Sequence, residues 1–242
     1  MRPSDEILNV RESASSLYGA GQEIWDANDA WNEHKRRNIE AFILQTTSAS
    51  QIPNRILDAG CGMTAYDWML NDRVNLDRFF SQLQDKPNAV VAELEQLPFE
   101  DCSFNLIFCI GSVLNYVSAI EAITELSRVS AKGCRLYLHF ETSSSFEQFG
   151  RNGWNASVKF IKTINAGRPD AIWVYSPAFI LRSLAIANFR ILRQRRFHIF
   201  SALMSRFGFA QPTAAMATKF DALGRFMFNF FADDIIVLAE KI

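Results

Sequence analysis

The sequence predicts an α/β fold, with a mostly parallel seven-stranded sheet, helices on both of its faces and an N-terminal helical cap. Between about residues 55 and 141, short apolar runs alternate with segments of helical periodicity. This alternation is typical of parallel strands that helices cover on both sides. The chain of 242 residues is 49% hydrophobic, so it can bury one core and a single domain is expected.

Residues 1–50 are predicted to form the cap. The first 22 residues are polar and interrupted by glycines, which predicts a disordered start. The segment "DANDAWNEHKRRNIEAFILQ" then places Trp31, Ile39 and Phe42 close to one face of a helix. The cap should therefore contain a helix with one apolar face.

Residues 51–141 are predicted to form the core. Strands are expected at "ILD", "RVNLD", "NAVVAEL", "FNLIFCI" and "RLYLHF", with a helix at "TAYDWML" after the first strand. Ser118, followed three positions later by Glu121, has the pattern of a capping box that begins a second helix. Lys132 and Gly133 should end that helix.

Residues 142–242 are predicted to complete the same domain. The polar segment "TSSSFEQFGRNGWNAS" indicates a connection. A helix is expected at "SPAFILRSLAIA", and strands are expected at "FRILRQRRFHIF" and "FADDIIVLAEKI". The aromatic side chains of "KFDALGRFMFNFF" need cover from the core, a pocket or another subunit.

The composition excludes several classes of partner. The net charge is -1, so no global positive field attracts nucleic acid or an anionic membrane. The four cysteines form no C-x-x-C pair, and with three histidines the sequence offers no metal-ligand spacing. The start lacks a secretion signal, and no apolar run is long enough to span a bilayer. We expect a soluble, cytoplasmic protein that binds small molecules and no metal.

The stretch "RILDAGCGMTAY" ends an apolar strand with Asp58, Gly60 and Gly62. Ligands bind at the carboxyl ends of parallel strands, where glycines let the backbone approach a cofactor. The third glycine of a dinucleotide fingerprint is missing and Asp58 would repel a phosphate, so a nucleoside with an ammonium or sulfonium is favoured. Asp77 follows Gly60 by 17 positions, near the spacing at which a carboxylate accepts the hydroxyls of a ribose. Glu93, at the end of the third strand, is placed to hold an adenine amino group.

Together these motifs resemble the class I S-adenosylmethionine-dependent methyltransferases, in particular the small-molecule type. The resemblance covers about residues 55–141 and rests on "LDAGCG", "NLD", "AELEQLPFEDCSFNLI", "GSVLNYV" and "ELSRVSAKGCRLYL". It implies a Rossmann-like, doubly wound fold and S-adenosyl-L-methionine as the cofactor. The chain departs from the family pattern at Glu93, where Asp is common, and at Asn105 in the usual F-D-L.

By this resemblance, the glycine loop would line the methionyl and ribose parts of the cofactor, and Asp77 would accept the ribose hydroxyls. Glu93 and the backbone N–H of Leu94 would contact the adenine. Ile110 and Gly111 would pass close to the sulfonium and its methyl group. Together with Asp58, which would organise the loop or face the cation, the predicted cofactor-binding residues are Asp58, Ala59, Gly60, Gly62, Asp77, Glu93, Leu94, Ile110 and Gly111.

Two residues are candidates for catalysis. His139 and Glu141 end the fifth strand, and the two-residue period of a strand points both side chains the same way, so His139 is a candidate base. Tyr116 follows the fourth strand, where members of the family touch acceptor or cofactor. A purely structural role is the alternative for each.

The predicted function is methyl transfer to O or N, with C less favoured, of a small and largely apolar molecule. The acceptor pocket is expected from the cap helices, residues 142–176 and the aromatic segment at 220–231, with Trp154 or Trp173. Two alternatives are a non-catalytic accessory or sensor protein that binds S-adenosylmethionine or S-adenosylhomocysteine, and a nicotinamide-dependent oxidoreductase. A homodimer built on the aromatic C-terminal segment is a further option, whereas nucleic-acid acceptors are not expected.

Overall fold

The computed structural model describes residues 3–19, 29–47, 55–62, 73–165 and 167–242, and the helix predicted at "TAYDWML" lies outside them. The α-helices of the described part are α1 (Pro3–Tyr18), α2 (Ala30–Thr46), α3 (Ala119–Val129), α4 (Pro177–Ile186), α5 (Phe200–Arg206), α6 (Gln211–Ala215) and α7 (Asp221–Met227). Its strands are β1 (Ile56–Ala59), β2 (Val74–Asp77), β3 (Ala89–Val91), β4 (Phe104–Cys109), β5 (Ser130–Glu141), β6 (Val158–Asn165), β7 (Arg168–Tyr175), β8 (Phe189–Phe197) and β9 (Asp234–Lys241).

Seven of the strands form one sheet in the order β3-β2-β1-β4-β5-β9-β8. Strands β1 to β5 run parallel to one another, and β9 lies antiparallel between β5 and β8. The strand order reverses between β1 and β4, and open α/β sheets bind ligands at such a switch point. The predicted α/β fold with a mostly parallel, seven-stranded sheet is confirmed.

Helices cover both faces of this sheet. Successive residues of a strand point to opposite faces, so each strand contributes to two cores. Ile56 belongs to a cluster with Phe42 of α2. Its neighbour Leu57 belongs to the larger cluster on the other face, with Ile123 of α3 and Leu184 of α4. The sheet is therefore doubly wound, as the alternation of apolar runs predicted.

Helix α1 corrects the prediction of a disordered start. Pro3–Tyr18 is helical, and Val10, Ala14 and Leu17 are buried at the spacing of one helical face. This face packs against β7. Because most helical stability in proteins comes from such tertiary burial, a largely polar sequence can still form a helix. The second helix of the cap, α2, lies where the sequence predicted it.

Strands β6 and β7 form an antiparallel hairpin, in a part of the chain where the sequence predicted a connection and no strands. The hairpin is a separate two-stranded sheet. A two-stranded sheet alone is only marginally stable, and here α1 covers it. The hairpin matters for function because it carries several residues of the site described below.

The boundary between α3 and β5 also differs from the prediction. Ser118 lies at the N-cap of α3, but its side chain does not cap the helix and its backbone N–H donates to Glu95 Oε1 at 3.2 Å. Helix α3 passes directly into β5 at Ser130, so Lys132 and Gly133 lie inside a strand. The β4–β5 register shifts beside them, which accommodates the glycine in an irregular strand rather than at a helix end.

Candidate functional site

The loop after β1 and the end of β2 form one hydrogen-bonded unit. The backbone N–H groups of Gly60 and Cys61 donate to the carbonyl oxygen of Leu76 at 2.7 and 3.0 Å. The N–H of Gly62 donates to Asp77 Oδ2 at 3.1 Å. Burial raises the pKa of Asp77, and hydrogen bonds from backbone N–H groups oppose that rise. The glycine loop therefore holds the Asp77 carboxyl group in a fixed place at the carboxyl end of the sheet.

Gly60 has a conformation and a close neighbour that exclude other residues. Its φ is +76°, and a Cβ at this position would lie 2.5 Å from Cγ1 of Val113. Val113 begins a 3-10 turn, Val113–Tyr116, that follows β4. Because Gly60 has no side chain, the backbone ends of β1 and β4 can lie side by side.

A cleft opens at this edge of the sheet, with the mixed apolar and polar lining that is usual for a small-molecule site. Seven of the nine predicted cofactor residues line it, namely Gly60, Gly62, Asp77, Glu93, Leu94, Ile110 and Gly111. The other walls of the cleft, which are not among the nine predicted residues, include Ala14, Tyr18, Arg78, Phe79, Val113 and Val117. Two of these belong to α1, so the cap helix closes one side of the cleft.

Asp58 and Ala59 do not line the cleft, in contrast to the prediction. Asp58 is 4% exposed, and its Oδ2 lies 3.5 Å from Nε of Arg73. Ala59 is fully buried in the larger core cluster. Both residues are still inside β1, so their side chains point to the faces of the sheet rather than beyond its edge. Burial raises the pKa of Asp58.

Glu93 is held at the rim of the cleft by a residue that sequence reasoning missed. Arg78 follows Asp77 directly, and its Nη2 lies 3.2 Å from Glu93 Oε1. Because exposed ion pairs contribute little to stability, the main effect of this pair is to orient the Glu93 carboxylate. Among the described residues that line the cleft, Arg78 is the one cationic side chain, and it is paired. The lining therefore fits a nucleoside that carries a positive charge.

A second cavity lies beside the cleft and shares Tyr18, Gly111 and Tyr116 with it. Its wall is polar. The ionisable side chains that line it, apart from the two tyrosines, are Lys35, Glu141, Glu147, Asp170 and Asp233. The second cavity thus lies where four parts of the chain meet: hairpin β6–β7, helix α2, the segment that follows β5 and the segment that precedes β9.

Tyr116 stands between the two cavities in a chain of hydrogen bonds. Its hydroxyl donates to Asp170 Oδ2 at 2.6 Å, and the Tyr18 hydroxyl donates to Tyr116 at 3.3 Å. Ser13 donates to the other oxygen of Asp170 at 2.7 Å. Burial raises the pKa of Tyr18 to about 12 and raises that of Tyr116 well above its usual value. Both phenols are therefore protonated at neutral pH.

His139 is not placed as the predicted base. It is fully buried and lines neither cavity. Its Nδ1 accepts the backbone N–H of Ser112 at 2.9 Å, and its Nε2 lies 3.0 Å from Asp234 Oδ1. Both ring nitrogens face protein groups, because the side chain points into the sheet interior rather than past the strand end. His139 therefore has the purely structural role that was the alternative to catalysis.

Lys35 lies under the second cavity, where its ammonium group contacts two carboxylates and one hydroxyl. Its Nζ donates to Glu141 Oε1 at 2.7 Å and to Ser112 Oγ at 3.3 Å, and lies 3.3 Å from Asp234 Oδ1. Burial alone would lower the pKa of Lys35, but the charges of Asp234 and Glu141 outweigh it and raise the pKa. The ammonium group is therefore charged and already neutralised by protein carboxylates.

Part of the predicted acceptor pocket is not found. The cap helices and residues 142–176 do contribute to the second cavity, but residues 220–231 contribute to neither cavity. Trp154 stacks on Phe231 with ring centroids 5.9 Å apart, and Trp173 packs edge-on against a phenylalanine of β6. Part of the aromatic segment therefore packs against other aromatic rings, whereas Phe226 in the same segment is exposed. The second cavity is polar where an apolar one was expected.

The fold and the cleft define an α/β domain with a cleft at the carboxyl edge of its sheet. Residues 57–138 match the family model described as a methyltransferase domain. This match and the sheet order confirm the resemblance to the class I S-adenosylmethionine-dependent methyltransferases, with S-adenosylmethionine as cofactor. A curated protein of Methanocaldococcus jannaschii, itself uncharacterized, is 32% identical over 79 residues, which are 31% of this chain. The match spans 35% of that protein's length.

Several solved structures share the fold at low sequence identity. The cyclase SpnF superposes with a TM-score of 0.58 at 16% identity, over 97% of this chain and 91% of SpnF. The 1,6-didemethyltoxoflavin N1-methyltransferase of Burkholderia thailandensis gives 0.58 at 13% identity, over 100% and 91% of the two chains. The geranyl diphosphate C-methyltransferase of Streptomyces coelicolor gives 0.57 at 12% identity, over 86% and 79%. At these identities the likeness shows the fold alone.

Two other features, a membrane-spanning helix and a metal site, are not found among the described residues. None of their helices combines the length and the apolar character that a bilayer crossing requires. No group of three or more histidine, cysteine, aspartate or glutamate side chains in this part of the chain has an arrangement that could hold a metal ion.

Proposed function

We propose that the protein transfers a methyl group to an oxygen or nitrogen of a small molecule bound in the second cavity. The observation that supports this proposal is the contact between the two cavities, which meet at Tyr18, Gly111 and Tyr116. A cofactor in the cleft and an acceptor in the second cavity would face each other there. Holding two reactants in line can supply about 7 to 11 kcal/mol of the barrier to reaction.

The residues of the cleft have distinct roles in this proposal. Asp77, fixed by the N–H of Gly62, accepts the ribose hydroxyls. Glu93, oriented by Arg78, receives the adenine amino group. Gly111 presents backbone rather than a side chain where the two cavities meet. S-adenosylmethionine, when bound, supplies an electrophilic methyl group whose bond to sulfur breaks, with the electron pair going to sulfur, as the bond to the acceptor atom forms.

Tyr116 and Asp170 are placed to take the proton that an oxygen acceptor must lose. The Tyr116 hydroxyl donates to Asp170 and accepts from Tyr18, so one lone pair of its oxygen is left to receive a proton as its own proton moves to the carboxylate. Tyr116→Phe should lower kcat with an unchanged affinity for S-adenosylhomocysteine, and Asp170→Asn should do the same. If both variants kept the wild-type kcat, this proton route would be wrong.

The alternatives differ in measurable ways. A non-catalytic accessory or sensor protein would bind the cofactor without turnover, and the open second cavity favours an enzyme. A nicotinamide-dependent oxidoreductase needs a pyrophosphate site, whereas the described lining of the cleft holds two carboxyl groups and one paired arginine. The partner that these observations support is a small-molecule acceptor.

Isothermal titration with S-adenosylmethionine, S-adenosylhomocysteine and NAD tests the proposal. We expect micromolar binding of the first two ligands and none of NAD. Asp77→Ala should abolish binding, whereas Asp101→Ala, which removes an exposed carboxylate away from the cleft, should leave it unchanged. A subsequent acceptor screen would detect methylated products by mass spectrometry. Binding of NAD alone would contradict the proposal.

A further inference from the structure

The second cavity contains carboxyl groups that the protein leaves without partners. Asp170 is hydrogen-bonded by Tyr116 and Ser13, and Glu141 is bonded by Lys35. By contrast, the carboxyl groups of Asp233 and Glu147 accept no hydrogen bond and form no ion pair with any described residue, although both line the cavity. The cavity therefore has two satisfied and two unsatisfied acids.

Of the two acids without partners, Asp233 gives the stronger evidence for a ligand. It is 8% exposed, and it precedes β9 in a segment whose backbone is bonded on both sides, to Thr142 and His198. A carboxyl group on a residue this deeply buried, with no hydrogen-bond partner among the described residues, costs free energy, and proteins rarely keep one without a use. Asp233 lines the second cavity, so a molecule that enters there can supply the partner.

The charge around Asp233 selects the chemistry of that molecule. The groups that act on it are Asp234 on β9, Glu147 after β5, Glu141 on β5 and Lys35 on α2. Lys35 pairs with Glu141 and Asp234 and forms no hydrogen bond or ion pair with Asp233 or Glu147. Three of the four neighbours are acidic, and burial together with these charges raises the pKa of Asp233 well above its usual value. A cation entering the cavity would relieve this repulsion.

We propose that the acceptor carries an aliphatic ammonium group, which Asp233 and Glu147 bind in the second cavity. This inference rests on the proposed function, since it takes the second cavity as the acceptor site. An ammonium group is compact and offers up to three N–H donors to carboxylate oxygens. The rings of Tyr18, Trp31 and Tyr116 line the same cavity and can stabilise a cation through their π faces.

The test compares three four-carbon probes that differ in their end groups: 1,4-diaminobutane, 1,4-butanediol and succinate. Each is titrated into protein saturated with S-adenosylhomocysteine. We expect the diamine to bind at least about tenfold more tightly than the diol, since charge-assisted bonds to a carboxylate are worth more than a factor of ten. Succinate should not bind, because it would meet like charges.

Substitutions test whether Asp233 and Glu147 bind the diamine. Asp233→Asn and Glu147→Gln keep the shape of each side chain and should each weaken diamine binding at least about tenfold. Glu100→Gln, which neutralises an exposed acid outside both cavities, should leave it unchanged. Thermal melts show whether each variant is folded, and Glu147→Gln provides a second test if Asp233→Asn does not fold.

The outcomes separate this inference from the proposed function. If S-adenosylhomocysteine binds but the diamine binds no better than the diol, the proposed function stands and the ammonium site is overturned. Equal diamine binding by Asp233→Asn, Glu147→Gln and the wild type would overturn it as well. If S-adenosylhomocysteine itself does not bind, both proposals fail.

Discussion

Gly60 carries the sharpest prediction at the scale of one residue. Gly60→Ala combines a positive φ, which costs about 1–2 kcal/mol, with a clash against Val113 that costs about 1–3 kcal/mol more. Gly133→Ala is the matched control, because its φ is +78° and a Cβ there meets nothing within 4 Å. Urea unfolding should show the larger loss for Gly60→Ala, and cofactor titration should show weakened binding for that variant alone. Equal losses would contradict the importance of the Val113 contact.

Asp233 predicts a dependence of stability on pH. Its pKa in the folded protein is raised well above the ordinary value of 3.8, first by burial and then by neighbouring carboxylates. The native state therefore keeps a proton that the unfolded state loses, so stability falls as pH rises from about 4 towards the folded pKa. Asp233→Asn removes this loss. In thermal melts, the variant should gain stability over the wild type progressively as pH rises, and a constant gap would contradict the raised pKa.

Single residues show where sequence reasoning succeeds and where it stops. Gly60, Asp77 and Glu93 could be predicted because the cofactor motif is local and its spacing is set by one strand-loop-strand unit. Asp170 and Asp233 could not be predicted. Their contacts join positions far apart in the chain, such as Ser13 with Asp170, and no local pattern marks them.

At the scale of elements, the attachment of α2 to the sheet depends on Lys35. Lys35→Met would leave Glu141 and Asp234 without their buried cation, and breaking such a pair costs about 3–5 kcal/mol. Arg37→Met, on the same helix, removes an exposed pair and should cost less than about 1 kcal/mol. Free energies of unfolding from urea titration check the difference. A small loss for Lys35→Met would mean that water replaces the lost cation.

Elements whose own sequence determines them were predicted, and elements that depend on distant partners were not. The strands from β1 to β5 follow from apolar runs between turns. Helix α1 has a polar sequence and is helical because it packs on β7, which is itself far along the chain. Hairpin β6–β7 does alternate in "VKFIKTIN", but the pattern alone does not distinguish a hairpin from an extended connection.

At the scale of the whole molecule, exposed apolar side chains are concentrated in one segment outside both cavities. Between positions 207 and 230 they are Phe207, Phe209, Met216, Phe220, Leu223, Phe226, Met227 and Phe230, which we call the apolar surface. Exposed apolar surface commonly marks an interaction site, and the homodimer predicted from the sequence would use this one. Phe226 is 91% exposed, so Phe226→Ser changes the surface without disturbing the core.

Light scattering tests the homodimer. We expect the wild type to have the mass of a dimer, and Phe226→Ser to shift the mass towards that of a monomer. Ile186→Ser is the control, since Ile186 is 77% exposed on α4, outside this surface. A monomeric wild type would contradict the prediction.

The place of β9 in the sheet also orders events during translation. Every described residue that lines the cofactor cleft lies between positions 14 and 117, so the ribosome delivers these residues before it delivers β5 to β9. Strand β9 emerges after β5 and β8 and must then insert between them. Asp233, directly before β9, arrives with it. A nascent chain can thus build the cofactor cleft early, whereas the second cavity is completed only when β9 closes the gap between β5 and β8.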